Sequence, residues 1–498
     1  MNRFKYIAIA LLTLCTGVYA LAQDEVDALR YSYLAPQATA RSMGIGNAGG
    51  SVGADFSSLS INPAGIGVYR NGEMMITPSI KANSVSGTYL GSTTSDDKLR
   101  FTINNAGIVF SRAAKGRRYE RSKWKASSFA FGFNRLADFN RNYVYSGKNG
   151  GKSGSSGSEV FVADANGNIN DLNYVQNYSS LASLGYQSYL INYDTNIGLF
   201  RTVVPYDTTG LNQRRRVHEK GSMNEMVFSF GGNYMEKLML GATIGIPFIR
   251  YDRVADYTEA LDAPTSNFSN YTYTEKLTTK GTGINLKLGF IYKPSDYFRF
   301  GAAIHTPSYM AMTDEYLNSI SYNAQLHSGE VANDPGTIDY TLTTPWRAVV
   351  SATGFMGKYG FITADYEFVN YRAMRYHFQS DFIDYESSVN QLIKNTYTAA
   401  SNFRIGIEGR PIDFMMVRVG CGYYGTPYSK SIANASHIDL SAGIGFRFSH
   451  WFTDLGFVHT MYNGQEQPYV LPYPAVVVPT ATLKNSLNNA ALTIGLRF

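Results

Sequence analysis

The sequence predicts an all-β protein, a 14-stranded antiparallel transmembrane β-barrel with an N-terminal plug inside its lumen. Three observations predict it. Connections between strand-like runs alternate short and long. The runs themselves alternate apolar and polar residues with period two. A stretch before the first run does neither and is rich in small residues. The short connections are Ser111–Lys123, Met235–Lys237, Lys293–Asp296, Gly357–Tyr359, Pro411–Asp413 and Ser449–Trp451. The long ones are Tyr89–Asp97, Gly147–Asn224, Tyr257–Thr272, Thr306–Pro345, His377–Ala400, Gly425–Ser436 and Asn463–Asn488. Tight turns at one end and large excursions at the other are the signature of a membrane barrel with periplasmic turns and extracellular loops, and such barrels have an even strand number.

The leader comes first. Met1–Ala22 reads as a secretory signal peptide: Arg3 and Lys5 are its positive region, Ile7–Leu14 its apolar region, and Ala20-Leu21-Ala22 its cleavage site. Cys15 does not make it a lipoprotein leader, because Leu14 stands where a small residue should precede the cysteine. Cleavage near Gln23 leaves 42 basic against 38 acidic residues, too mild and scattered a surplus to argue for nucleic acid. Cys421 is then unpaired and sits on an apolar strand face with Val417, Val419 and Tyr423.

Residues 23–73 are the expected plug and residues 74–498 the barrel. The plug carries Arg41-Ser42-Met43-Gly44-Ile45-Gly46-Asn47-Ala48 and later Asn62-Pro63-Ala64-Gly65. Side chains this small suit a segment packed closely against other backbone. A barrel of fourteen strands is wider than its own side chains fill. Gly44-x-Gly46-x-x-Gly49 also fits a dinucleotide fingerprint in form, but it has no preceding apolar strand and no βαβ context.

The strands follow. Ile438, Leu440, Ala442, Ile444, Phe446 and Phe448 alternate with Asp439, Ser441, Gly443, Gly445 and Arg447. Ile284, Leu286, Leu288, Phe290 and Tyr292 form another greasy face, as do Phe403, Ile405 and Ile407, and Leu492, Ile494, Leu496 and Phe498. A soluble sheet also alternates. Here, however, Arg and Lys recur among glycines on the polar face, as in a lumen, with Arg299, Arg347, Glu367, Arg404, Glu408, Arg418, Arg447 and Arg497 available to meet the plug. Tyr (38 residues) far outnumbers Trp (3) and clusters at strand ends, as an aromatic girdle would.

The run Ala40–Ala48 followed by Asn62-Pro63-Ala64 resembles the N-terminal hatch of the FadL/TodX family of outer-membrane transporters. The resemblance implies passive uptake of hydrophobic molecules such as long-chain fatty acids or aromatic hydrocarbons. It implies capture by extracellular loops, rearrangement of the plug and lateral exit through a kinked third strand. Plug and gate residues are then Arg41, Gly44, Gly46, Ala48, Asn62, Pro63, Ala64 and Gly65. The third strand runs regularly through Trp124–Gly132 and loses its pattern at Asn134–Asn140, so Asn134, Asp138 and Asn140 are the candidate kink and exit. In the longest loop, Leu172, Val175, Leu181, Leu184, Tyr189 and Leu190 form a partly helical apolar pattern. They line a capture groove or form a core of the loops themselves. Val389, Leu392 and Ile393 mark a second short helix.

No linear enzymatic motif occurs, and the expectation is a channel, not an enzyme. The implied partners are a hydrophobic small-molecule ligand and outer-membrane lipid, with no cofactor, no metal and no nucleic acid, and the chain is expected to be a monomer in the bacterial outer membrane. Two other readings stay open. One is a type IX-like secretion or surface-attachment shuttle that binds protein partners. The other is haem uptake, for which His218, His327 and His377 are available.

Overall fold

A computed structural model describes residues 24–35, 37–149, 154–169, 175, 180–207, 210–265, 267–379, 382–430, 432–473 and 476–498. The expected signal peptide falls outside them. Fourteen barrel strands follow in chain order. They are β1 (Glu73–Tyr89), β2 (Ser92–Ala113), β3 (Trp124–Asp138, resumed at Arg141–Asn149), β4 (Leu211–Tyr234), β5 (Leu238–Ala260), β6 (Phe268–Tyr292) and β7 (Phe298–His305, resumed at Tyr309–Ala324). The second half is β8 (His327–Ala332, Gly336–Thr343 and Arg347–Phe355), β9 (Gly360–Asn370), β10 (Ala399–Ile412), β11 (Met415–Tyr424), β12 (His437–Arg447), β13 (Trp451–Glu466) and β14 (Ala481–Arg497). Each pairs antiparallel with its sequence neighbour, and β1 pairs with β14 to close the barrel. The β1–β14 pairing closes the sheet on itself, the solution a lipid environment favours for a spanning sheet.

The alternating faces point as predicted. Ile284, Leu286, Leu288 and Phe290 are exposed on the outer wall, as are Phe403, Ile405, Ile407, Leu492 and Ile494. Arg347, Glu367, Arg404, Arg418 and Thr493 are buried on the inner face. Among the described residues no helix is long and apolar enough to cross a membrane.

Three expected excursions are paired strands instead. The loop expected at Tyr89–Asp97 is a two-residue turn, Leu90-Gly91, both at positive φ. Thr306–Pro345 is a long hairpin turning at Gln325-Leu326. The loop expected at 257–272 narrows to the turn after Ala260 and before Phe268. Strand β4 likewise begins at Leu211 and not near Asn224. The cause is common to all. These extensions stand beyond the lipid, so their outward face is polar and the greasy alternation that marks a membrane strand is lost.

Strands β7, β8 and β9 are all interrupted at one level. Pro307 and Pro345 break the first two, and a 3₁₀ turn at Tyr371–Ala373 ends the third. Proline removes a ladder donor and belongs at bulges. There the ladder is patched locally: the Ser308 N–H donates to Thr344 Oγ1 at 2.8 Å, and the Thr344 N–H to the Ser308 carbonyl at 3.0 Å.

Candidate functional site: an N-terminal segment against a breached wall

The N-terminal segment is built from short capped helices. Helix α1 (Glu25–Ser32) is capped by Asp24, whose side chain accepts from the Asp27 N–H, with Glu25 and Asp27 in the first turn and Arg30 in the last. Helix α2 (Ala40–Gly44) is capped by Thr39, which accepts from the Ser42 N–H and donates to Asp55. Gly46 then adopts φ +65°, a left-handed turn that glycine adopts without strain. After α3 (Ser58–Ile61), Asn62 caps a 3₁₀ turn that begins at Pro63. Its side chain accepts from the Ala64 N–H at 3.1 Å and donates to the Gly50 carbonyl at 2.6 Å and the Phe290 carbonyl of β6 at 3.2 Å. The Asn62-Pro63-Ala64-Gly65 element is therefore a helix cap that also grips the wall.

Contacts from this segment reach around the barrel. The Gly50 N–H donates to Asp365 on β9 at 3.0 Å, the Ala40 N–H to Thr493 on β14 at 2.8 Å, and Arg347 to the Ser32 carbonyl. Ser51 meets Thr353 at 2.7 Å, and Arg299 donates to the Val52 carbonyl at 2.7 Å. Arg41 reaches Glu408 at 3.2 Å, and Glu408 pairs with Arg418 at 2.7 Å. Arg418 in turn holds Asp454 at 2.7 Å, which also meets Arg447 at 2.8 Å. In this relay every charge has a partner of opposite sign, which is what lets it persist so deeply buried.

The wall makes room with glycine. A Cβ at Gly289 would lie 2.0 Å from Asn62 Oδ1, at Gly241 2.2 Å from the Pro63 carbonyl, and at Gly420 2.2 Å from the Gly46 nitrogen. Gly406 faces the Ile45 carbonyl and Gly456 the Ala40 carbonyl just as closely. The sequence reading missed these five wall residues. Their signal was the recurrence of glycine on the inward face of successive strands.

Of the predicted plug residues, Arg41, Gly44, Gly46, Ala48, Asn62, Pro63, Ala64 and Gly65 all lie in this segment. Seven of them are buried, and Arg41 is partly so.

Above the segment lies an apolar cluster. Leu136, Met223, Ile249, Tyr251, Met310, Met312, Tyr340, Leu342 and Met374 surround α1, with helix α7 (Ile383–Thr396) packed across the top through Val389 and Ile393. Tyr31 of α1 packs edge-on against Phe139 and Tyr251. Unbranched methionines adapt their shape, so this cluster can repack around something else.

The wall is breached at β3. Strand β2 pairs with β3 only from Asn105 to Ala113. Beyond Asn134 the register with β4 slips at Arg135/Ala137, and β3 resumes at Arg141. The resumed segment lies against the β1–β2 hairpin: Thr94 donates to the Val144 carbonyl at 2.8 Å, and a Cβ at Gly87 would meet the same carbonyl. The β2 edge, Ser92–Asn104, thus has a ladder partner in β1 alone, and it exposes Leu99 (74 %) and Phe101 (66 %) to the outside.

Polar groups pin the break. Asp138 pairs with Lys81 at 2.8 Å and accepts from the Asn140 amide at 2.7 Å. Asn140 donates to the Gly221 carbonyl at 2.9 Å and meets Arg100 of β2. Lys98 bridges to Asn142 at 2.8 Å. Asn134 donates to Ser60 of the N-terminal segment at 2.8 Å. The three predicted kink residues therefore gather around one break.

The predicted capture residues lie elsewhere. Leu172 is outside the described residues. Leu184 and Leu190 are buried and Leu181 partly so, in a core with Phe161 of α5 (Ser158–Gly167), Tyr257, Phe268, Tyr271 and Tyr469. Leu181 and Leu184 sit on α6 (Leu181–Gln187). Tyr189 is exposed and stacks on His327 at 4.3 Å. The described residues of this loop fold as a cap on the extended hairpins.

Glu259, fully buried, latches the cap. It accepts from Ser156, from the Gly157 N–H at 2.9 Å, from Gln213 at 2.8 Å and from Tyr257 at 2.6 Å. Burial raises its carboxyl above the ordinary glutamate range. His218, His327 and His377 stand on different strands or strand ends, and the described residues contain no group of three or more His, Cys, Asp or Glu placed to hold a metal.

No sequence-family profile matches the chain, and no curated protein is similar to it in sequence. Solved structures are. A FadL homologue of Pseudomonas aeruginosa superimposes with a TM-score of 0.55 at 10% identity, over 94% of this chain and 99% of that one. The Pseudomonas putida toluene transporter TodX gives 0.51 at 12% identity, over 92% and 97%. The CymD monoaromatic hydrocarbon channel gives 0.50 at 11% identity, over 93% and 97%. The greasy outer wall, the closed ladder and these superpositions make this chain a transmembrane β-barrel of the outer-membrane type, with the fold of the FadL homologue and of TodX.

Proposed function

We propose that the chain is a passive channel for hydrophobic small molecules, with residues 23–73 as its plug. The observation that carries this reading is the methionine- and tyrosine-rich cluster above the N-terminal segment, which adjoins the break in β3. An apolar solute that displaced α1 would find greasy walls, a seal below and a way out to the side. A water-filled pore for polar solutes would need the opposite lining. The similar structures are a toluene transporter, a monoaromatic hydrocarbon channel and a FadL homologue, which supports an uptake channel and not an enzyme. Both long-chain fatty acids and monoaromatic hydrocarbons suit such a lining.

The test is uptake of radiolabelled oleate and of radiolabelled toluene by intact cells with and without the chain. The proposal expects faster uptake of at least one. If neither changes and the purified protein instead retains a protein partner, the secretion-shuttle reading takes its place.

A further inference from the structure

The outer wall changes character sharply above the lipid band. Outward residues Asn224, Phe248 and Thr282 form one row across β4, β5 and β6. One row higher, about 7 Å along the strands, Arg250 stands directly opposite Lys280. Lys220 and Lys276 follow in the next two rows and Arg216 in the third, on the same three strands.

All five cations are exposed, Arg250 at 68 % and Lys280 at 50 % of the side chain. Like charges directly opposite on a sheet are unfavourable. Asp252 offsets Arg250 at 3.3 Å and Glu315 offsets Lys280 at 2.7 Å. Asp256 bonds Thr274 and leaves Arg216 without an ion pair. Lys220 and Lys276 have none either among the described residues. Three of the five cations, Lys220, Lys276 and Arg216, thus have no ion pair among the described residues, and the ladder, interleaved with Asp252, Asp256 and Glu315, stands above the greasy wall at the end carrying the long connections.

We propose that this ladder binds the phosphates of lipid headgroups in the outer leaflet, the acyl chains lying on Phe248 and Ile246 below. Two features select lipid over a soluble anion. On β5 the cations begin one row above Phe248 and two above Ile246, as an amphiphile requires, and they spread over neighbouring strands, as a headgroup with more than one phosphate requires. Basic side chains at a membrane surface attract anionic headgroups over about a Debye length. The proposal rests on the membrane placement and orientation of the barrel and not on its substrate.

The test uses the full chain in detergent, titrated with lipid A, a bisphosphorylated acylated disaccharide, and read by native mass spectrometry. Phosphatidylethanolamine, inorganic phosphate and polyglutamate serve as comparison ligands. Wild type should hold lipid A in preference to all three. K220Q/R250Q/K280Q should weaken lipid A binding at least about tenfold, while K220R/K280R should keep it. R117Q/R118Q/R121Q, which removes the cations of helix α4 (Gly116–Arg121) between β2 and β3, should leave it unchanged. Heat-dependent gel mobility establishes that each variant is folded. Equal lipid A binding by wild type and the triple glutamine variant overturns the proposal. So does polyglutamate or inorganic phosphate binding as tightly as lipid A and being lost in the same variant.

Discussion

At Gly420 a single hydrogen decides whether the N-terminal segment can lie against the wall. The Gly420→Val side chain would start 2.2 Å from the Gly46 nitrogen and 2.4 Å from the Ile45 carbonyl carbon, both backbone atoms that cannot swing aside. The variant should unseat the N-terminal segment and raise single-channel conductance in planar bilayers. Gly354→Val, where a Cβ meets nothing closer than 3.8 Å, should conduct like wild type. Arg418 sets a second residue-scale expectation. It is fully buried between Glu408 and Asp454, so Arg418→Met should lower stability by about 3 kcal/mol, read as a shifted urea midpoint. The inward charges were legible in the sequence, since Arg and Glu recur at even spacing among glycines. Their partners were not, because residues such as Arg41 and Glu408 are far apart in the chain and meet only through the fold. The same blindness affects Ser441. Its period-two spacing marks it only as an inward position, yet its hydroxyl lies against the Gly44 carbonyl at 3.4 Å.

Among elements, the cap over the long hairpins shows where sequence reasoning stopped. The apolar pattern through Leu181, Leu184 and Leu190 was visible, and so was the helical spacing of Val389 and Ile393. What these residues pack against was not, because the hairpins beneath them read as loops once their outward faces became polar. The cap gives a pH expectation through Glu259. Burial raises its carboxyl, so the closed cap holds a proton that the open form releases. Closure is therefore fully supported below the ordinary glutamate value of 4.5 and weakens as pH climbs through the raised one. Protease cleavage within residues 154–207 should speed up as the pH rises above 4.5, after correction for the protease's own pH profile, and Glu259→Gln should remove that dependence. Unchanged cleavage in wild type over this range would mean that Glu259 does not latch the cap.

For the whole molecule, the alternation of connections gave strand number and closure, since a lipid-spanning sheet has few other solutions. Orientation is checked directly. A cysteine at Leu326, exposed at the tip of the β7–β8 hairpin, should label from outside intact cells, and one at Lys358, in the short turn before β9, should not. The central claim is that an apolar solute leaves sideways through the break in β3. The direct measurement is uptake of a radiolabelled apolar solute by cells carrying Leu99→Cys in a Cys421→Ala background, before and after reaction with a bulky membrane-permeant maleimide. Leu99 lies on the unpaired edge of β2, whereas Leu440 faces outward on the fully paired β12. Labelling Leu99→Cys should abolish most uptake, and the same label on Leu440→Cys should not. Uptake that continues unchanged with Leu99→Cys fully labelled would contradict lateral exit at this site.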